Sequence, residues 1–193
     1  MTMKLMYVDT ETTGIETPDC GIIQIAGIIE IDGQVREDFN IKCRPYENDV
    51  ISQEALDIHG ITLEEIQGYH MDGLEAHKKL TAILSRYVDR YDKKDKFQIV
   101  AYNARFDADH LRAWFHKAKD KYFGSWFWHP PIDVMGVCAA TMIKTRPRLE
   151  NFKLGTVCKH HGIPVAEEEQ HDAVYDVSIT RTLWRKLAKW DKA

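Results

Sequence analysis

No two cysteines of this chain stand at the spacing of a metal knuckle or a redox pair. Cys20, Cys43, Cys138 and Cys158 are scattered, and there is no C-x-x-C. That speaks against a disulfide scaffold and for a reducing, cytoplasmic setting. The N-terminus lacks a basic-then-apolar leader, and no apolar run approaches the roughly 20 residues a membrane span needs, so no membrane role is expected. Internal repeats and low-complexity linkers are also missing. So is an excess of positive charge: the net charge is −4, which does not advertise a polyanionic partner. The distribution says more. Residues 1–96 hold 19 acids against 11 basic residues, and residues 97–193 hold 11 against 15. The basic residues of the second half clump at Lys117, Lys119 and Lys121 and at Lys144, Arg146 and Arg148. Such clumps could meet phosphates locally, although a solvated helix face is their ordinary use.

What is present suits one domain over residues 1–193. A chain of this size buries about 70% of its unfolded surface and needs no staple to fold. Residues 4–9 read as a strand, residues 21–31 as a second, and residues 34–44 as a third. Asp32-Gly33 is the turn of an antiparallel meander. Ser52 is placed to cap a short helix over residues 53–58 that stops at Gly60. Thr62 and Glu65 form a capping box for another. Residues 72–91 have the apolar spacing of an amphipathic helix. Residues 98–102 make a fourth strand and residues 105–119 a helix. Residues 126–133, with two prolines, read as an edge strand or extended segment. Helices follow over residues 134–143, 151–161 and from Asp172 to about Trp190, with Glu167-Glu168-Glu169 as a surface acidic run. A meander followed by alternating helices and strands is an α/β arrangement with a mixed sheet.

The first strand runs into Asp9-Thr10-Glu11-Thr12-Thr13-Gly14. With period two, Leu5, Tyr7, Asp9 and Glu11 share one face and Met6, Val8 and Thr10 the other. Two carboxylates held this close repel, and burial raises the cost. A divalent cation is the simplest remedy, surface acids near a turn the bland alternative. Gly14 allows a positive φ or the close approach of another segment. Two further acids lie on apolar helix stripes. Asp107 shares a stripe with Leu111, Trp114, Phe115 and Ala118, and Asp176 one with Thr180, Leu183, Leu187 and Trp190. Each alone could be a first-turn acid favoured by the helix dipole. As a set of four, all-oxygen donors point to Mg²⁺ or Mn²⁺ rather than zinc. His171 sits five residues before Asp176, in an entry loop from which it can lean over the site. Its intrinsic pKa near ~6.5 suits a general base. Cys158, His160 and His161 have no second ligand pair at zinc spacing.

These residues carry a resemblance to the DEDDh 3′–5′ exonucleases, the family of the proofreading epsilon subunit of bacterial DNA polymerase. Its three motifs stand in order as Asp9-Thr10-Glu11-Thr12-Thr13-Gly14, Asn103-Ala104-Arg105-Phe106-Asp107 and His171-Asp172-Ala173-Val174-Tyr175-Asp176. Residues 54–62 and 154–163 are similar as well. The resemblance implies an RNase H-like fold, a five-stranded mixed sheet flanked by helices on both faces. It implies two Mg²⁺ or Mn²⁺ ions bound by Asp9, Glu11, Asp107 and Asp176, and His171 as general base. It implies that Thr12, Glu54 and His59 contact the terminal nucleotide; Phe106, the apolar neighbour in the second motif, reads as packing rather than chemistry. The family divides the ions between Asp9 with Asp176, and Asp9 with Glu11 and Asp107 through waters, and releases nucleoside 5′-monophosphates.

The implied substrate is a single-stranded or frayed 3′ end of DNA, with RNA ends as the alternative. The 2′-OH is read by local contacts that the motifs do not fix. A catalytically silent nucleic-acid-binding domain would have no use for four costly acids. The sequence ends soon after the last helix, without the long tail that joins epsilon subunits to their polymerase, so a free-standing nuclease is expected. Homodimerisation and polymerase association stay open. The aromatic run Tyr122-Phe123-Gly124-Ser125-Trp126-Phe127-Trp128 could stack on bases or join two copies, but reads best as core.

Overall fold

Leu5, Met6, Tyr7 and Val8 are all apolar, without alternation, because the strand they form is covered on both faces. In the computed structural model, which describes residues 2–166 and 172–188, this strand is β1 (Lys4–Thr12). It is the middle of a five-stranded sheet of order β3-β2-β1-β4-β5. β2 (Ile22–Ile31) and β3 (Gln34–Lys42) complete an antiparallel meander. Its turn places both Asp32 (φ 49) and Gly33 (φ 81) in the left-handed region, the two-residue turn whose twist matches the strands. β4 (Gln98–Ala101) and β5 (Ile132–Asp133) then add in parallel. The sheet is mixed, as expected.

Eight α-helices lie among the described residues: α1 (Gln53–His59), α2 (Leu63–Gln67), α3 (Gly73–Leu84), α4 (Ala104–Lys117), α5 (Phe123–Trp126), α6 (Val134–Thr141), α7 (Leu154–His160) and α8 (Ala173–Ala188). They form two layers. Met6 and Val8 pack with Leu80 and Leu84 of α3 and Leu111 and Trp114 of α4. On the opposite face Leu5 and Tyr7 pack with Cys138 of α6, Val157 of α7 and Val177 and Leu183 of α8. Burying each large apolar side chain contributes about 1.5–3 kcal/mol, so both layers are held firmly. Among the described residues no helix is long and apolar enough to cross a membrane.

Several boundaries depart from the sequence reading. β1 continues through the acids to Thr12 because β2 pairs with it that far, up to a bulge between Glu11 and Thr12. The helix expected over residues 72–91 stops at Leu84. Tyr87 and Val88 still reach the core, but through turns, and Asp95 accepts the Asp89 N–H and the Lys4 ammonium. Ser52 occupies the cap of α1 without a side-chain hydrogen bond. The Thr62–Glu65 capping box is present, and Asp72 with Glu75 forms a second. Residues 126–133 divide into the end of α5, an isolated bridge from Phe127 to Phe97, and the two-residue edge strand β5. Phe123, Trp126 and Phe127 are core; Tyr122 and Trp128 are exposed. Trp190 and Glu167-Glu168-Glu169 lie outside the described residues.

Candidate active site

The threonines of the first motif build the end of β1. Thr10 points away from Asp9, towards α4. Its backbone N–H and its hydroxyl both donate to Asp107 Oδ1, at 3.0 and 2.9 Å. Thr12 turns its hydroxyl onto the Gly14 carbonyl at 2.8 Å. Thr13 donates to the Val50 carbonyl at 2.6 Å and accepts the Gly21 N–H at 2.8 Å. Gly14 is needed for close approach rather than for a positive φ, since a Cβ there would stand 2.5 Å from Cys20 Sγ.

The second motif is set by a kink. Asn103 adopts φ 65, ψ 46 and ends β4 abruptly, so that α4 starts at Ala104. Asp133 Oδ1 accepts the Asn103 N–H at 3.0 Å and the Met135 N–H at 3.0 Å. One carboxylate thereby fixes the first turn of α4 and caps α6. Asp107, in that first turn, is 2% exposed and faces inward. Asp176 lies in the first turn of α8, and Asp172 just before the helix accepts the Val174 N–H.

Convergence shows in the electrostatics. Burial raises the Asp9 carboxyl well above the usual carboxylate range, and the charges of Asp107, Glu11, Asp176 and Asp172 raise it further. Burial also lifts Asp107 to about 7; the Thr10 hydrogen bonds pull it back and Glu11 pushes it up. Asp176 is lifted to about 7 by burial, then by Glu11 and Asp172. Acids from three distant segments, Asp9 with Glu11, Asp107 and Asp176, therefore feel one another at the end of β1, from both faces of the sheet. Asp172 joins them as a fifth. Sequence reading gave it a capping role alone; its i to i+4 spacing from Asp176 was the available signal.

Glu11, 6% exposed, meets His59 at the end of α1. His59 Nδ1 stands 2.5 Å from Glu11 Oε2, an ion-pair contact out of line for a good hydrogen bond, and Nε2 lies 3.1 Å from the Thr12 carbonyl. Burial lowers the His59 pKa, but Glu11 and the Thr12 carbonyl outweigh it and the net shift is upward. Glu54, on the same helix, is exposed. Phe106 is half-buried, its ring 4.2 Å from that of His110. His171 lies outside the described residues.

Among the described residues, no group of three or more His, Cys, Asp or Glu side chains is arranged, as it stands, to hold a metal ion. The donor chemistry nevertheless fits hard divalent cations: clustered carboxylates, buried and mutually repelling. Thr10 and Asp133 escaped the sequence reading as organisers of the second motif. Thr10 was legible in principle, because alternation sends it to the face where α4 packs.

Comparison with known proteins identifies the family and the fold. The RNase_T family model, described as exonuclease, matches residues 6–183. Ribonuclease T of Baumannia cicadellinicola is 25% identical over 97% of this chain and 87% of its own length. The PolC-type DNA polymerase III of Oceanobacillus iheyensis is 26% identical over 94% of this chain, which spans 11% of that protein. Escherichia coli Exonuclease I in complex with a dT13 oligonucleotide superposes with a TM-score of 0.76 at 24% identity, over 97% of this chain and 41% of that one. The five-stranded α/β architecture is thus the one seen in Exonuclease I.

Proposed function

The chain belongs to the RNase_T exonuclease family, and from that premise we propose that it hydrolyses single-stranded or frayed DNA ends from the 3′ terminus, one nucleoside 5′-monophosphate at a time. The observation that carries this reading is the meeting of Asp9, Glu11, Asp107 and Asp176 at one strand end, with three of those carboxyls held well above their ordinary pKa. Groups so arranged are costly unless cations use them.

The four acids would hold two Mg²⁺ or Mn²⁺ ions, which when bound supply charge neutralisation for the phosphoryl oxygens and acidify water. The chain's own residues do the rest. Thr10 opposes the burial that lifts Asp107 and aims the carboxylate through two donors on one oxygen. Burial of Glu11 beneath α1 keeps bulk water from its carboxylate. Thr12, Glu54 and His59 would contact the terminal nucleotide. His171 would take the proton from the attacking water, and the departing 3′ oxygen would leave with the shortened strand. Four free, buried cysteines support a reducing, cytoplasmic setting.

A second reading has its own support. The Ribonuclease T relative matches nearly end to end, which favours trimming of RNA 3′ ends. One assay decides between them. Matched 3′-tailed DNA and RNA oligonucleotides are incubated with Mg²⁺ or Mn²⁺ and the product ladder is followed. Stepwise shortening from the 3′ end is expected, faster on DNA. Faster loss of RNA would transfer the reading to RNA, and internal cuts would overturn both.

A further inference from the structure

Strand register links the acid cluster to the far edge of the meander. Glu11 pairs with Gln24 on β2, and Gln24 with Lys42 on β3. Residues directly opposite in an antiparallel ladder share a face. Lys42 therefore emerges on the same face as Glu11, two strands or about 10 Å away. The floor between them is polar: Gln24, 4% exposed, donates through Nε2 to Asn40 Oδ1 at 3.1 Å. Farther along β2 the same face is apolar, with Ala26 and Ile28 in the core.

At the edge, the Lys42 ammonium lies 5.8 Å from the centre of the Tyr69 ring. Together with Asn40 and His70 they line an open cavity of about 450 Å³, within the size range of ligand sites. Tyr69 is seated on Ile23, Leu56 and Ile66, so its ring is a fixed platform. Glu65 is the acid near Lys42, and its carboxylate is engaged by the Thr62 N–H and hydroxyl at 2.7 and 2.8 Å. The helices that carry this wall begin with α1, whose His59 touches Glu11. Cavity and acid cluster thus lie on the same side of the sheet, linked across it by the Glu11–Gln24–Lys42 register.

We infer that this cavity holds nucleotides two or more positions 5′ of the scissile bond, with a phosphate on Lys42 and a base against Tyr69. The inference rests on the exonuclease reading above and extends it to the path of the strand. A cation beside a fixed aromatic face is the chemistry that grips single strands without reading sequence. An exposed lysine opposite a polyanion gains from counterion release.

The test is fluorescence anisotropy on the full chain, with EDTA present so that nothing is cleaved. The probes are a labelled oligothymidylate and a labelled dithymidylate. Lys42→Ala is expected to weaken binding of the long strand and to lower its salt slope by about one. Tyr69→Leu, which preserves the apolar seat, is expected to weaken it about fivefold or more without changing the slope. The dinucleotide, too short to reach the cavity, binds both variants as it binds the wild type. Unchanged long-strand affinity in Lys42→Ala, or an equal loss with both probes, overturns the inference. Because no cleavage is needed, this outcome is independent of whether the hydrolysis assay succeeds.

Discussion

Thr10 gives both its backbone N–H and its hydroxyl to the same oxygen of Asp107. The pair crosses from the central strand to α4 and leaves the other carboxylate oxygen for a different partner. It also opposes the burial that lifts Asp107 to about 7. Thr10→Val keeps the β-branched shape and the N–H and deletes one donor. Partners of this kind typically change metal affinity or activity by about 10–100-fold when lost. We expect the Mn²⁺ concentration for half-maximal oligonucleotide shortening to rise by about that factor, with the circular dichroism spectrum unchanged. Thr10→Ser should recover most of the loss. A metal dependence identical to wild type would show that the hydroxyl does not serve Asp107.

Asp107→Asn separates catalysis from folding. The amide oxygen can still accept from Thr10, so the tie between β1 and α4 is kept, while the charge is removed. Activity is expected to fall by about a thousandfold or more, because a ligand of the catalytic ions would be lost. Stability of the metal-free protein at pH 8 is expected to equal or exceed wild type, because the variant no longer ionises a buried carboxyl beside Glu11. Full turnover by the variant would remove Asp107 from the site.

The same carboxyls set a pH dependence. Asp107 and Asp176 titrate near about 7 in the fold, against about 3.9 in an unfolded chain. Between those values the folded state binds more protons than the unfolded one. Their contribution to stability is fully present below about 3.9 and lost as the pH rises through about 7. Without metal, the melting temperature should therefore fall from pH 5.5 to pH 8, and less steeply in Asp107→Asn. Cations bind the ionised acids, so Mn²⁺ should raise the melting temperature more at pH 8 than at pH 5.5. An equal Mn²⁺ shift at both pH values would mean that the ion binds elsewhere.

Much of this was legible in the residues themselves, for identifiable reasons. The unbroken apolar run of residues 5–8 announced a strand buried on both faces, and helical spacing put Asp107 and Asp176 on inward stripes. What stayed hidden depended on partners distant in sequence. Nothing near Thr10 indicates that its hydroxyl meets Asp107, and nothing near Asp133 that it holds the first turn of α4. The helix expected to reach Tyr91 ends at Leu84 although its apolar spacing continues, because Tyr87 and Val88 enter the core through turns braced by Asp95. Periodicity reports which residues face inward; it does not report whether the backbone between them is helical.

Farther along the helix that carries Asp176, an ionic set ties α8 to β2. Glu30 of β2 has no exposed side-chain surface, and its Oε2 receives Arg181 Nη2 at 2.6 Å and Arg185 Nη1 at 3.2 Å from α8. Burial and then the Glu30 charge raise the pKa of the neighbouring Tyr7 phenol, so the carboxylate sits in a poorly solvated place. Removing one member of such a set leaves the other charges unpaired, at about 3–5 kcal/mol. The arginines keep some contact with water, which favours the lower end. Glu30→Gln should cost about 3 kcal/mol, a fall of roughly 6–12 °C in melting temperature for a chain of this length. Replacing Glu30, Arg181 and Arg185 together by methionine should recover much of that loss, since apolar packing can stand in for a buried ionic set. If Glu30→Gln melted within a degree or so of wild type, α8 would be held by its apolar stripe alone.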